Sequence, residues 1–475
     1  MFFSCVISLF VLSNLYTAYG YSQAALADQV TSLSGLDYKI NFNQFSGYLN
    51  LDKTQKNIHY WFAESESNPS TAPLVFWTNG GPGCSGLIGF LTEQGPFRPD
   101  ANGKLQMNDW RWNKIANMVF LEQPVGVGFS YSDNSNDYKI GDDQAAKDNL
   151  QTILAFLLKF PEYANSPLYI TSESYGGHYM PTLADQIIQY NEQAEKSNTQ
   201  KLAFQGFAVG NPYTDYYSGV GAEMETYWGK QLLPKPAWDE YVKAGCLDSR
   251  NLFNTSECSN SIFEFMKKIG NLNPYALDYP VCVSAQQTWM NEHIMNQYRD
   301  SGAFLAKDFK LHSSIPLKDE YQPCEDNYST DYLNREDVKA SLHVKSNIIW
   351  EECSRTVKYE YADKMKPMEK YYNKILDSKS SPNLRVLVYS GDDDSVCGTI
   401  GTQKWIWDLG YSVKSNWKVW EVDQQVAGYI TKFNTPFSTK SRFTFATVHF
   451  AGHEVPTYKP KEAFELFSAF LNDEL

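Results

Sequence analysis

The chain has 475 residues, 43% hydrophobic and 20% charged, which is a globular composition with material for a large core. Its 55 acidic and 41 basic residues leave a net charge of -14, which argues against nucleic acid or an anionic membrane as a partner. The same balance suits a protein of an acidic compartment, where protonation would lower the charge.

From the start of the chain, residues 1–20 read as a secretory signal peptide: 2–15 are mostly apolar, and Ala18, Tyr19 and Gly20 give the cleavage spacing, although no Lys or Arg precedes them. No later stretch has the apolar length of a membrane span. Beyond Cys5 there remain seven cysteines, an odd number that suggests three bridges and one free thiol. Sequons at Asn254 and Asn327 stand in polar surroundings suited to surface loops. These features point to the secretory pathway, with lysosome, vacuole or secretion as destinations.

Residues 73–77, 118–121, 167–170 and 202–209 read as buried strands, and 148–160 and 183–190 as helices. This alternation predicts an α/β fold with a mostly parallel central sheet covered on both faces. The pattern changes at Asn211-Pro212. From there to about 336 the chain is helical, polar and aromatic and carries Cys246, Cys258, Cys282 and Cys324, which reads as a helical cap inserted at 212–336 into one domain spanning 21–475. Strand patterning returns at 384–390 and 443–448.

Four loops at predicted strand ends carry chemistry. Ser174, in Ser172-Glu173-Ser174-Tyr175-Gly176-Gly177, sits at a strand-to-helix turn among small residues, the layout of a nucleophile elbow. Asn79-Gly80-Gly81-Pro82-Gly83-Cys84 lets backbone N–H groups approach a ligand, as an oxyanion hole requires. Asp392, Asp393 and Asp394 follow the 384–390 strand, and His449 and His453 follow the 443–448 strand. Singly, these have plain explanations as a turn, a solvated loop or helix cap, and packed histidines. In the order Ser, Asp, His, each at a strand end, they form the series of an α/β-hydrolase. No His or Cys pair stands at metal-ligand spacing beside the three aspartates, so neither metal nor cofactor is expected.

On these motifs the chain resembles the serine carboxypeptidase family (peptidase family S10, the cathepsin A and yeast carboxypeptidase Y type). Residues 77–85 match its W-x-N-G-G-P-G-C-S block, 172–177 its G-E-S-Y-A-G block, and 123–131, 389–397 and 452–456 further shared blocks, over a match from about 45 to 471. The resemblance implies Ser174 as nucleophile, His453 as general base and Asp394, three residues before Cys397, as its orienting acid. It implies the N–H groups of Gly81 and Tyr175 as oxyanion hole, and Asn79, Gly80, Glu93 and Glu173 as the site for a peptide's terminal carboxylate. Two close glutamates share a proton, so peptide binding is expected to favour acidic pH. Implied bridges are Cys84–Cys353, Cys246–Cys258 and Cys282–Cys324, leaving Cys397 as free thiol. Peptide or protein C-termini are the implied partners, and a homodimer is an admissible assembly.

Several positions depart from the family pattern. Ser172 stands for Gly, Gly176 for Ala, Phe450 for Gly and His449 for Arg. Glu454 follows the histidine where some members have Met, and an acid there would favour a basic leaving residue. The alternatives are an acyltransferase of the same fold, whose residue before the nucleophile is typically Asp rather than Glu173, and an inactive binding or protective homologue.

Overall fold

The structure is a computed structural model that describes residues 20–248, 255–270, 272–282 and 325–475. Residues 1–19 of the expected signal segment, Asn254 and Cys324 therefore lie outside the described residues. The central sheet has ten main strands: β1 Gln44–Asn50, β2 Lys56–Ala63, β3 Leu74–Thr78, β4 Asn117–Leu121, β5 Leu168–Glu173, β6 Phe204–Gly210, β7 Arg385–Gly391, β8 Val413–Val422, β9 Gln425–Phe433 and β10 Phe443–Val448. They lie in the order β1-β2-β4-β3-β5-β6-β7-β10-β9-β8, and Tyr131–Ser132 adds a short pairing to β2. The six strands from β4 to β10 are mutually parallel. Antiparallel hairpins extend both edges.

The central strands are apolar runs buried along their whole length in β3, β4, β5 and β10, as expected where helices cover both faces. Alternate side chains divide between two cores. Phe62, Phe76, Phe156, Phe160 and Ile170 fill one face, and Trp61, Val75, Trp77, Phe90 and Trp112 the other. Burying each large ring contributes about 1.5–3 kcal/mol.

Helices α1 Leu87–Thr92, α2 Asp142–Lys159 and α3 Gly176–Ser197 belong to this α/β frame. The expected helix at 148–160 begins six residues earlier, because Asp142 and Asp143 suit the positive end of a helix dipole while showing no apolar period. The expected strands lie within a few residues of β3 to β7 and β10. The edge hairpins were not foreseen. The polar, exposed β8 lacks a buried-strand run, and it turns into β9 through Asp423 and Gln424, both with positive φ.

Between β6 and β7 the chain forms α4 Tyr216–Gly229, α5 Lys235–Lys243 and α6 Ser256–Ile269. These share their own apolar cluster, including Met224, Tyr227, Tyr241, Phe265 and Leu277, beside a Cys246–Cys258 disulfide. Tyr332 and Leu333, on α7 Glu325–Leu333, pack instead into the core of the sheet. Asn327 lies on that helix, not on the surface loop expected of its sequon: its amide donates to Cys282 Sγ, and Ser329 is buried. The sequence reading includes α7 in the helical 212–336 segment, but its weak apolar period gave no sign that it packs against the sheet. Among the described residues, no helix is long and apolar enough to cross a membrane.

Candidate active site

The parallel strands end nearly in register at one edge, where Thr78 pairs with Ser172, Gly210 with both Glu173 and Tyr389, and Gly391 with Val448. Every loop singled out in the sequence leaves that edge, and so do the residues after β6.

Ser174 occupies a left-handed backbone position, φ 57°, between β5 and α3. Its N–H donates to Gly210 O at 3.0 Å, and its carbonyl accepts from Tyr213 N at 2.8 Å, so β6 clamps the strained turn. From Leu168 to Asp185, Ser174 alone is not buried. Gly80 lies directly on the turn: a Cβ there would stand 2.5 Å from Tyr175 N and 2.7 Å from Ser174 Cβ. Gly81 follows with φ 109°. The Cys84–Cys353 disulfide ties this glycine loop to residues 352–354, where Glu352 O accepts from Ser85 N and Ser354 N donates to Gly83 O. Tyr175 is anchored through its hydroxyl to Asp142, which also accepts from Tyr359 and His178 Nδ1.

The two departures in the elbow interlock. The Ser172 hydroxyl donates to Thr78 O at 2.6 Å and fills the space a methyl on Gly176 would need. Serine at the first position therefore requires glycine at the second.

Three consecutive aspartates take three partners. Asp392 Oδ2 lies 2.6 Å from His449 Nδ1, Asp393 pairs with Lys230, and Asp394 Oδ2 lies 2.7 Å from His453 Nδ1. Asp394 also accepts from Asn211 Nδ2, Cys397 N and Val396 N, at 2.9, 3.1 and 2.8 Å. Four donors fix this carboxylate. Asn211 was missed as a site residue; its signal was only an Asn-Pro step after a strand. It has φ 37° and joins β6 to β7 through both amide atoms.

The Asp394 carboxylate, Cys397 Sγ and a His453 ring nitrogen lie within 4.8 Å of one another. The mutual hydrogen bond of Asp394 and His453 occupies two of those donors, so the group is poorly arranged to hold an ion. The Cys397 thiol lies close enough to the Ser174 side chain to feel it electrostatically. Burial and the charge of Asp394 push that thiol well up, which makes it an inert neighbour and not a nucleophile. His453 Nε2 is buried without a hydrogen-bond partner. Burial lowers the imidazole pKa, but Asp394, with Glu454 and Glu93, outweighs it and raises His453 to about 8.

Beside the elbow, Asn79 Nδ2 donates to Glu93 Oε1 at 2.8 Å and to Glu173 Oε1 at 2.7 Å. The orientation of the amide is settled by its oxygen, which accepts from Trp77 Nε1 and Gly89 N. Glu93 Oε2 and Glu173 Oε2 are buried and unpartnered. Burial pushes Glu93 from its usual 4.5 up to about 7, and burial with the Glu93 charge raises Glu173 well above its usual range. A pair so placed keeps a proton into the neutral range. Glu454 lies close enough for its charge to act on Glu173 and His453.

A second Ser–His–acid chain, unforeseen in the sequence, lies in the first half. Ser46 Oγ is 2.9 Å from His59 Nε2, and His59 Nδ1 is 2.9 Å from Glu122 Oε2. All three are fully buried, and the Ser46 hydroxyl donates to Leu342 O. It is a structural staple, since no substrate can reach it.

The family model described as serine carboxypeptidase matches residues 35–473. The chain is 35% identical to serine carboxypeptidase-like 25 of Arabidopsis thaliana over 465 residues, 95% of this chain and 93% of that protein. It is 33% identical to the lysosomal protective protein of Mus musculus over 475 residues, 94% of each. The crystal structure of a prohormone-processing carboxypeptidase from Saccharomyces cerevisiae superposes with a TM-score of 0.75 at 21% identity, over 94% of this chain and 96% of that one, and so shares its fold.

Proposed function

The chain belongs to the serine carboxypeptidase family, and on that footing we propose that it is a serine-type carboxypeptidase, releasing residues from peptide C-termini through an acyl-enzyme. Ser174 Oγ attacks the last peptide carbonyl. His453 Nε2 takes the hydroxyl proton and passes it to the leaving amine, and Asp394 holds the imidazolium. The N–H groups of Gly81 and Tyr175 stabilise the oxyanion. Water then repeats the sequence on the acyl-enzyme. Segment 212–336 acts as a cap, and Glu454 favours a basic leaving residue. The Cys84–Cys353 and Cys246–Cys258 disulfides fit a secretory-pathway protein, delivered to lysosome or vacuole or secreted.

The observation that carries this reading is the pair of unpartnered, buried carboxyl oxygens beside the elbow. A protonated pair donates to a substrate's terminal carboxylate, whereas an ionised pair repels it. Affinity is therefore present at low pH and lost as pH rises through about 7, the value for Glu93. The same proton cancels the Glu93 charge that helps raise His453, and so brings the base toward its free form. KM for a free peptide should rise about tenfold or more between pH 6 and 8.5 in the wild type. It should stay nearly flat in Glu93→Gln/Glu173→Gln. An unchanged rise in the double variant would remove the pair as the carboxylate site.

A further inference from the structure

Residues 273–279, after α6, lie across both loops that carry the Asp394–His453 pair. Pro274 O accepts from Ser395 N at 3.0 Å and from Ser395 Oγ at 2.7 Å. Tyr275 O accepts from His453 N at 2.7 Å, and the Tyr275 ring stands edge-on to the imidazole at 4.9 Å. Leu277 N donates to Asp393 O at 3.1 Å, Asp278 N to the Asp393 carboxylate at 2.8 Å, and the Tyr279 hydroxyl to Phe450 O at 3.0 Å. One strap thus grips Asp393 and Ser395, on either side of Asp394, and His453 itself.

The strap is fastened from a third element. Lys230 follows the last residue of α4, where the helix dipole favours a cation. Its ammonium pairs with Asp393 and, at 2.7 Å, with Asp278 Oδ2. The Asp393 side chain is wholly buried. Burial pushes Asp393 up to about 6 in spite of Lys230. Removing the ammonium would leave a buried carboxylate next to Asp394 and facing Asp278, an arrangement that expels the strap or the loop.

We propose that Lys230 is a positioning residue: by joining Asp393 to Asp278 it locks the 273–279 strap over the Asp394 and His453 loops and so sets where the imidazole stands relative to Ser174. The catalytic consequence rests on the carboxypeptidase reading; the mechanical lock does not. Two measurements on Lys230→Met and Lys230→Arg separate them. In the Met variant kcat should fall by about tenfold to a hundredfold with KM within about twofold, the effect of a misplaced catalytic group, and Arg should restore most of it. Backbone hydrogen exchange in 392–397 and 450–454 should accelerate by about tenfold in Met, stay near wild type in Arg, and be unchanged in β5 in both. Exchange equal in all three proteins, or accelerated equally in β5, overturns the lock. Local acceleration with unchanged kcat overturns the positioning role. If the wild type cleaves no peptide, the carboxypeptidase reading falls, while the exchange result still decides the strap.

Discussion

At residue 176 a single methyl group separates a formed elbow from a crowded one. Ser172 already fills the space below Gly176, so Gly176→Ala alone should lower kcat/KM by about tenfold or more and cost about 1–3 kcal/mol of stability. The double variant Ser172→Gly/Gly176→Ala should recover both, as a double-mutant cycle would measure; additive losses would contradict the coupling. Phe450 makes a related point, for it holds φ 58° where glycine would be unstrained. The reacting residues were legible at this scale because each follows a readable strand. The interlock of 172 with 176 was not, since it needs the distance between a strand and a helix. Nor were Asn211 and Lys230, because an amide or a lysine in a loop carries no pattern until its partner is known.

At the scale of elements, the site exists because parallel strands stop in register and deliver five loops to one edge. That much follows from apolar runs spaced by helices. What the strands cannot specify is how the loops beyond them are held, and here buried polar groups decide. Glu122 accepts from His59 Nδ1, Trp350 Nε1 and Phe129 N, and also bonds Ser85 next to the Cys84 disulfide. Glu122→Ala would strand these donors and should cost about 3–5 kcal/mol in denaturant unfolding. Ser46→Ala, at the far end of the same chain, should leave the hydrolytic rate within about twofold, because that serine reaches no solvent. Loss of activity in Ser46→Ala at full stability would refute the assignment of a staple.

Across the whole molecule, a net charge of -14 and a buried glutamate pair act in the same direction on pH. The folded pKa of Glu93 lies above its usual 4.5, so the fold is favoured while the proton is held and penalised as pH rises from 4.5 through about 7. Glu93→Gln/Glu173→Gln should therefore raise Tm by about 2–4 °C at pH 8 and by no more than about 1 °C at pH 4, read by calorimetry. Stability would thus be exchanged for the capacity to take up a carboxylate, a common relation at binding sites. Residues 273–279 reach back over the same edge, where the proposed nucleophile, base and carboxyl pair stand together. Their grip on the Asp394 and His453 loops was beyond the sequence, where Asn273, Pro274 and Asp278 mix with Tyr275, Ala276, Leu277 and Tyr279 in no regular period.

In the proposed function, Ser174 acts on the last peptide bond because the Glu93–Glu173 pair holds the free carboxylate. The direct measurement incubates a C-terminally free peptide and its amide with wild type and Ser174→Ala across pH 4 to 8. Stepwise release of C-terminal residues is expected from the free peptide alone, favoured below about pH 7, and none by Ser174→Ala. Equal cleavage of peptide and amide, or activity surviving in Ser174→Ala, would contradict it.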